Sequence, residues 1–211
     1  MQLQGLTGGP QVLSDGTQGQ PSVNKQGALW VTEFIPRYYE LVYRGLCFTT
    51  SEKDVNPTGA IPLGAAGTPL LAIWNPAGTG KNIVVLQIGI SIQIMGTGAL
   101  GGVYASWGIT TAITQATKNT IYNALTSATS GSAATAFNNV ALTGSTALTQ
   151  LMPLLSVGAN VTSTTPTISP ALLDIGGAII IPPGSVFALT TATSGTAAKV
   201  DSNILWAELS V

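Results

Sequence analysis

At 211 residues, 45% of them hydrophobic, the chain can bury the core of one sizeable β domain, but only 7% are charged against roughly a quarter in ordinary soluble proteins. A surface so poor in mixed charge, and so rich in Thr, Ser, Gly and Ala, is expected to be covered largely by other subunits. The large apolar content argues against intrinsic disorder, and the net charge of −1 against nucleic acid, whose partners need a concentrated basic face.

Residues 1–27 carry five glycines and two prolines before Lys25 and show no periodicity, so they read as an extended N-terminal arm. Leu3, Leu6, Val12, Leu13 and Val23 are spaced along it like pegs for a neighbouring subunit. The opening residues lack a basic stretch followed by an apolar one, so no signal peptide is expected. No window approaches the ~18 consecutive apolar residues of a membrane helix, and no membrane partner is expected.

Residues 28–211 read as a single β domain. The stretch 29–54 is the most aromatic and most charged of the chain; Pro36 divides it into two extended pieces, 30–35 and 38–50. In the second piece Leu41, Tyr43 and Cys47 share one face and Val42, Arg44, Leu46 and Phe48 the other, followed by a polar exit loop at 51–57. A Gly/Ala/Pro linker at 58–68 leads to a short apolar strand at 68–74.

The turn-forming run 75–80 then introduces the longest strand signal of the chain. From Val84 to Ile94 every second residue is a large aliphatic (Val84, Leu86, Ile88, Ile90, Ile92, Ile94), with Gln87, Gly89, Ser91 and Gln93 between them. That period of two puts the aliphatics on one face of a strand, and a strand with one greasy face needs a second sheet to cover it.

Residues 103–111 resume the alternation and are expected to pair with the long strand as a hairpin. Residues 112–135 read as an irregular excursion anchored by Ile113, Ile121, Tyr122 and Leu125. A strand is expected at 137–142, and an edge strand or short helical turn at 148–155, which holds Pro153. The C-terminal third shows Ile179-Ile180-Ile181, the turn Pro182-Pro183-Gly184, a strand at 185–193 and a closing strand at 203–211. Eight or so strands with Gly/Pro-rich turns and no convincing long helix predict an all-β fold, an antiparallel β-sandwich or jelly roll.

The chemistry of sites is sparse. The chain has no histidine, which removes His-based triads and most metal sites. Its single cysteine, Cys47, rules out an intrachain disulfide and reads as a buried structural thiol. Gly78-Thr79-Gly80-Lys81 lacks the first glycine and the final Ser/Thr of a phosphate loop and precedes a strand rather than a helix, so it reads as a turn with a solvated Lys81. The carboxylates Glu33, Glu40, Asp174, Asp201 and Glu208 are scattered, and ion pairs such as Glu33–Arg37 or Glu40–Arg44 are expected before a glycosidase-like pair. Trp30, Arg37, Tyr38, Tyr39, Tyr43 and Arg44 are of the types enriched as interface anchors.

The segments LWVTEFIPRYYELVYRGLCFTTS, LAIWNPAGTGKNIVVLQIGI, IPPGSVFALTT and the closing ILWAELSV resemble, in this order, a family of tailed-bacteriophage virion proteins. The resemblance spans about residues 28–211, is weak across 112–160, and departs at Thr79, where the family has Ser. Its motifs are structural rather than catalytic. The resemblance implies a jelly-roll particle component, such as a capsid cement or decoration protein, assembled in the host cytoplasm and resident in the virion. The resulting expectation is a non-enzymatic virion structural protein that binds and stabilises a phage capsid as a homotrimer. Its partners would be its own copies and the major capsid protein or another virion protein, with no cofactor and no metal. The alternative is a carbohydrate- or receptor-binding module of a tail fibre or other particle appendage, with Trp30 and Glu33, or Trp107, as the sugar platform.

Overall fold

The computed structural model describes residues 37–55, 69–94, 102–110, 113, 118–129, 131–138, 142, 148–155, 171–191 and 199–210. Two compact units divide the chain, Met1–Glu40 and Leu41–Val211. The arm and its pegs, Leu3, Leu6, Val12, Leu13 and Val23, lie outside the described residues, as does Trp30.

Among the described residues, one short helix, α1 (Tyr39–Tyr43), precedes ten strands. They are β1 (Cys47–Val55), β2 (Leu71–Asn75), β3 (Lys81–Ile94), β4 (Val103–Ile109), β5 (Tyr122–Asn123), β6 (Thr135–Asn138), β7 (Thr149–Leu155), β8 (Ala171–Ile181), β9 (Ser185–Thr191) and β10 (Lys199–Ser210). All named pairings are antiparallel, and they build two five-stranded sheets ordered β5-β1-β10-β3-β8 and β6-β2-β9-β4-β7. Setting aside the short β5 and β6, the remaining eight strands alternate between the sheets except at β4 and β7, which both lie in the second, in the order of two interleaved Greek keys. This is the strand order of a jelly roll, so the expected β-sandwich is the fold of the domain.

The inner faces meet in one core. Ile83, Val85, Ile88, Ile90 and Ile92 of β3, Val200, Ile204 and Trp206 of β10, and Phe48 of β1 face Leu71 and Ile73 of β2 and Phe187 and Leu189 of β9. The Trp206 ring stacks on Phe48, with centroids 6.3 Å apart. The second sheet is also covered on its other side, where Ala72, Phe137, Val186 and Ala188 pack with Ile113, Leu142 and Leu148. Burial on both faces explains why β9 reads as a nearly continuous apolar run instead of alternating.

Four expectations need correction. The stretch 38–50 is not one extended piece: α1 ends in a Schellman motif, where Gly45 N–H donates to Val42 O (2.9 Å) and Leu46 N–H to Leu41 O (3.0 Å), with Gly45 at φ 68°. Glu40 and Leu41 are good helix formers, and the glycine supplies the left-handed stop, after which β1 begins. The polar residues 51–55 continue β1 because they pair with β10. The hairpin partner of β4 is not β3, whose two flanks are taken by β10 and β8; β4 lies between β9 and β7 in the opposite sheet. Finally, the period of two in β3 breaks at a bulge.

Leu86 is the extra residue there. On β10, Trp206 pairs with Val85 and Leu205 with Gln87; on β8, Ile179 pairs with Val85 and Asp174 with Gln87. Residues 175–178 of β8 therefore face Leu86 without partners in the β3 register, bending through Gly176 (φ 60°) and Gly177 (φ 86°). The inserted residue flips the phase, so Ile83 and Val85 join Ile88, Ile90 and Ile92 in the core while Val84 is only half-buried. A Cβ at Gly177 would meet Val84 Cγ1 at 3.2 Å, so the bulge and its neighbour are fitted to each other.

β7 ends the second sheet, which places Pro153 on an edge strand as its missing N–H requires.

Candidate functional surface

The Gly78–Lys81 run is a structural turn. Asn75, fully buried, donates from Nδ2 to Lys81 O (2.8 Å) and Ile181 O (2.9 Å), and its Oδ1 accepts from Thr79 Oγ1 (2.8 Å). Gly78 (φ 83°) and Gly80 (φ 63°) supply the left-handed geometry that closes the turn. Lys81 is not the solvated lysine expected: its Nζ lies 3.1 Å from Glu208 Oε2, against a carboxylate that is fully buried.

Glu208 is heavily hydrogen-bonded. Oε1 accepts from Ser132 Oγ (2.6 Å), from the N–H groups of Ala133 (3.0 Å) and Ala134 (3.4 Å), and from Trp206 Nε1 (3.5 Å). Oε2 accepts from Ala133 N–H (3.0 Å) and Lys81 (3.1 Å). Both oxygens are thus saturated by groups from three separate segments, a pattern that holds a fold together and leaves no lone pair aimed at a substrate. Among the described residues no group of three or more His, Cys, Asp or Glu side chains is placed to hold a metal ion.

The aromatic anchors fall where a surface role is open to them. The Arg37 guanidinium lies over the Tyr38 ring, 5.5 Å from its centroid. Tyr39, Tyr43 and Arg44 are exposed, Tyr43 by 62%. Two further exposed apolar residues, Tyr122 and Leu125, come from the excursion between β4 and β6. Asn123 Nδ2 donates to Gly45 O (2.8 Å), Ala124 N–H to Cys47 O (2.9 Å) and Thr50 Oγ1 to Thr120 O (2.8 Å), which binds the excursion to β1 and to the turn before it. Their apolar character stood out within a polar run; their position beside Gly45 depends on pairing between distant segments. Trp107, by contrast, is partly buried, packing edge-on against Phe187 (5.4 Å between centroids) and against the core.

The first sheet keeps an open outer face. One cross-strand row runs Ser51–Asn203–Gly89–Leu172 over β1, β10, β3 and β8. With Glu52, Lys53, Ser91 and Asp201 it lines a groove of about 670 Å³. The Asn203 carboxamide lies over Gly89, where a Cβ would overlap its oxygen, so a side chain at that position would push the carboxamide aside. Asp201 is held at the groove by a hydrogen bond from Gln93 Nε2 to its Oδ2.

No family model, curated protein or solved structure matches the chain.

Proposed function

We propose that the chain is a non-enzymatic virion structural protein, a cement or decoration protein that binds the outside of a phage capsid as a homotrimer. Its partners in this reading are its own copies and the major capsid protein or another virion protein. The observation that carries the reading is the pairing of a rigid jelly roll with a surface that is nearly uncharged yet exposes Tyr43, Tyr122 and Leu125 around one edge of the first sheet. Exposed apolar groups on a surface so poor in charge favour burial against other subunits. The saturated carboxylate of Glu208 supports a structural rather than a catalytic role for the best-placed acid. The sequence resemblance to phage virion proteins points the same way.

The test is assembly. Light scattering of the purified protein should give a trimer, and the protein should bind capsid shells that lack it, through contacts on the order of 1,000 Å² or more. A protein that stays monomeric and does not bind such shells would overturn the reading.

A further inference from the structure

We propose that the groove on the open face of the first sheet binds a neutral saccharide. Its polar groups are preformed but unspent: among the described residues, no other protein group hydrogen-bonds the Asn203 carboxamide or the hydroxyls of Ser51 and Ser91. They sit on three adjacent strands, β1, β10 and β3, with Ser51 opposite Asn203 and Ser91 two residues along β3 from Asn203's partner Gly89, so their spacing is fixed by the sheet and not by loops. A carboxamide presents an N–H pair and a carbonyl side by side, the arrangement that grips two neighbouring sugar hydroxyls. The Asp201 carboxylate, oriented by Gln93, adds an acceptor beside them.

Leu172 completes the chemistry. It is 67% exposed at the end of the same row and gives an apolar wall for the C–H face of a sugar ring. The charges at the groove, Glu52, Lys53 and Asp201, are few and of both signs, which disfavours phosphates, nucleotides and polyanions. Its volume of about 670 Å³ lies inside the range of about 300–1,000 Å³ typical of small-ligand sites. Gly89 is the keystone, since a side chain there would displace Asn203 from the floor. This site differs from the tryptophan platform, because Trp107 is packed against the core. It does not depend on attachment to a particle.

The experiment is binding of the full-length protein to an array of neutral hexose and N-acetylhexosamine oligosaccharides, with sialylated and sulfated ones alongside, followed by titration calorimetry on the best neutral probe. Binding to neutral probes should weaken at least tenfold in Asn203→Ala and in Gly89→Ala with an unchanged melting temperature. If Gly89→Ala does not fold, Ser51→Ala, a change at an exposed hydroxyl, should still weaken binding severalfold. Failure of every neutral probe to bind, a preference for the acidic probes, or binding untouched by Asn203→Ala and Ser51→Ala would each overturn the proposal.

Discussion

The ammonium of Lys81 stands 3.1 Å from Oε2 of Glu208, joining the first residue of β3 to the end of β10 through a carboxylate with no solvent exposure. The same carboxylate gathers Ser132, Ala133 and Ala134 from the excursion. One acidic residue thus ties the tight turn before β3, the closing strand and the excursion into a single network.

Removing the carboxylate leaves a half-exposed ammonium without this partner and takes the acceptor from the Ser132 hydroxyl, the Ala133 N–H and the Trp206 indole N–H. Glu208→Ala should therefore cost about 3–5 kcal/mol in denaturant unfolding. Lys81→Met should cost less, because the lysine side chain is 34% exposed and solvent screens its share of the pair. In a double-mutant cycle the two losses should be less than additive. Full additivity would mean that the pair does not interact in solution.

Much of this fold is legible in the sequence, and the failures have definite causes. The strand type of residues 81–94 follows from alternation, but the bulge at Leu86 does not, because Leu86 is itself aliphatic and hides the phase change. The Schellman stop at Gly45 is written as a glycine after a short helix-forming run, yet a five-residue helix carries too little periodicity to compete with the β-like alternation around it. The Lys81–Glu208 pair spans 127 residues, and the residues forming the Asn203 groove sit on four strands that no local pattern brings together. Cross-strand register, which only tertiary pairing fixes, is what the sequence withholds.

Cys47 is buried, and burial raises its thiol from the ordinary 9.0 to about 11. The native thiol should therefore react slowly with a disulfide reagent at pH 8 and rapidly once the protein is unfolded. In the unfolded chain the thiol ionises first, so the unfolded state holds fewer protons between pH 9 and 11. Stability from this group is complete below pH 9 and is lost as pH rises towards 11. A Cys47→Ala variant should flatten that alkaline fall in melting temperature; an identical fall would assign it to other groups.

Beyond the bulge, the register of β3 makes opposite demands on adjacent residues. Ile90 is 2% exposed in the core, and Ile90→Ala should cost about 2–5 kcal/mol through lost burial and a cavity. Ser91 points to the open face, and Ser91→Ala should stay within about 0.5 kcal/mol. Equal losses in thermal melts would be incompatible with a single covered face at this end of the strand.

The exposed edge around β5 separates stability from assembly. Tyr122 and Leu125 are 43% and 51% exposed, so Tyr122→Ser with Leu125→Ser should change unfolding free energy by no more than about 1 kcal/mol. The anchoring bonds from Asn123 and Ala124 to the main chain of Gly45 and Cys47 do not involve those side chains and should survive, keeping the excursion in place. If this edge is where the protein meets other subunits, the double variant should lose trimer or shell binding at least tenfold while melting like the parent. Retained assembly would move the contact to the segment before residue 28, and a chain lacking residues 1–27 should then fail to attach.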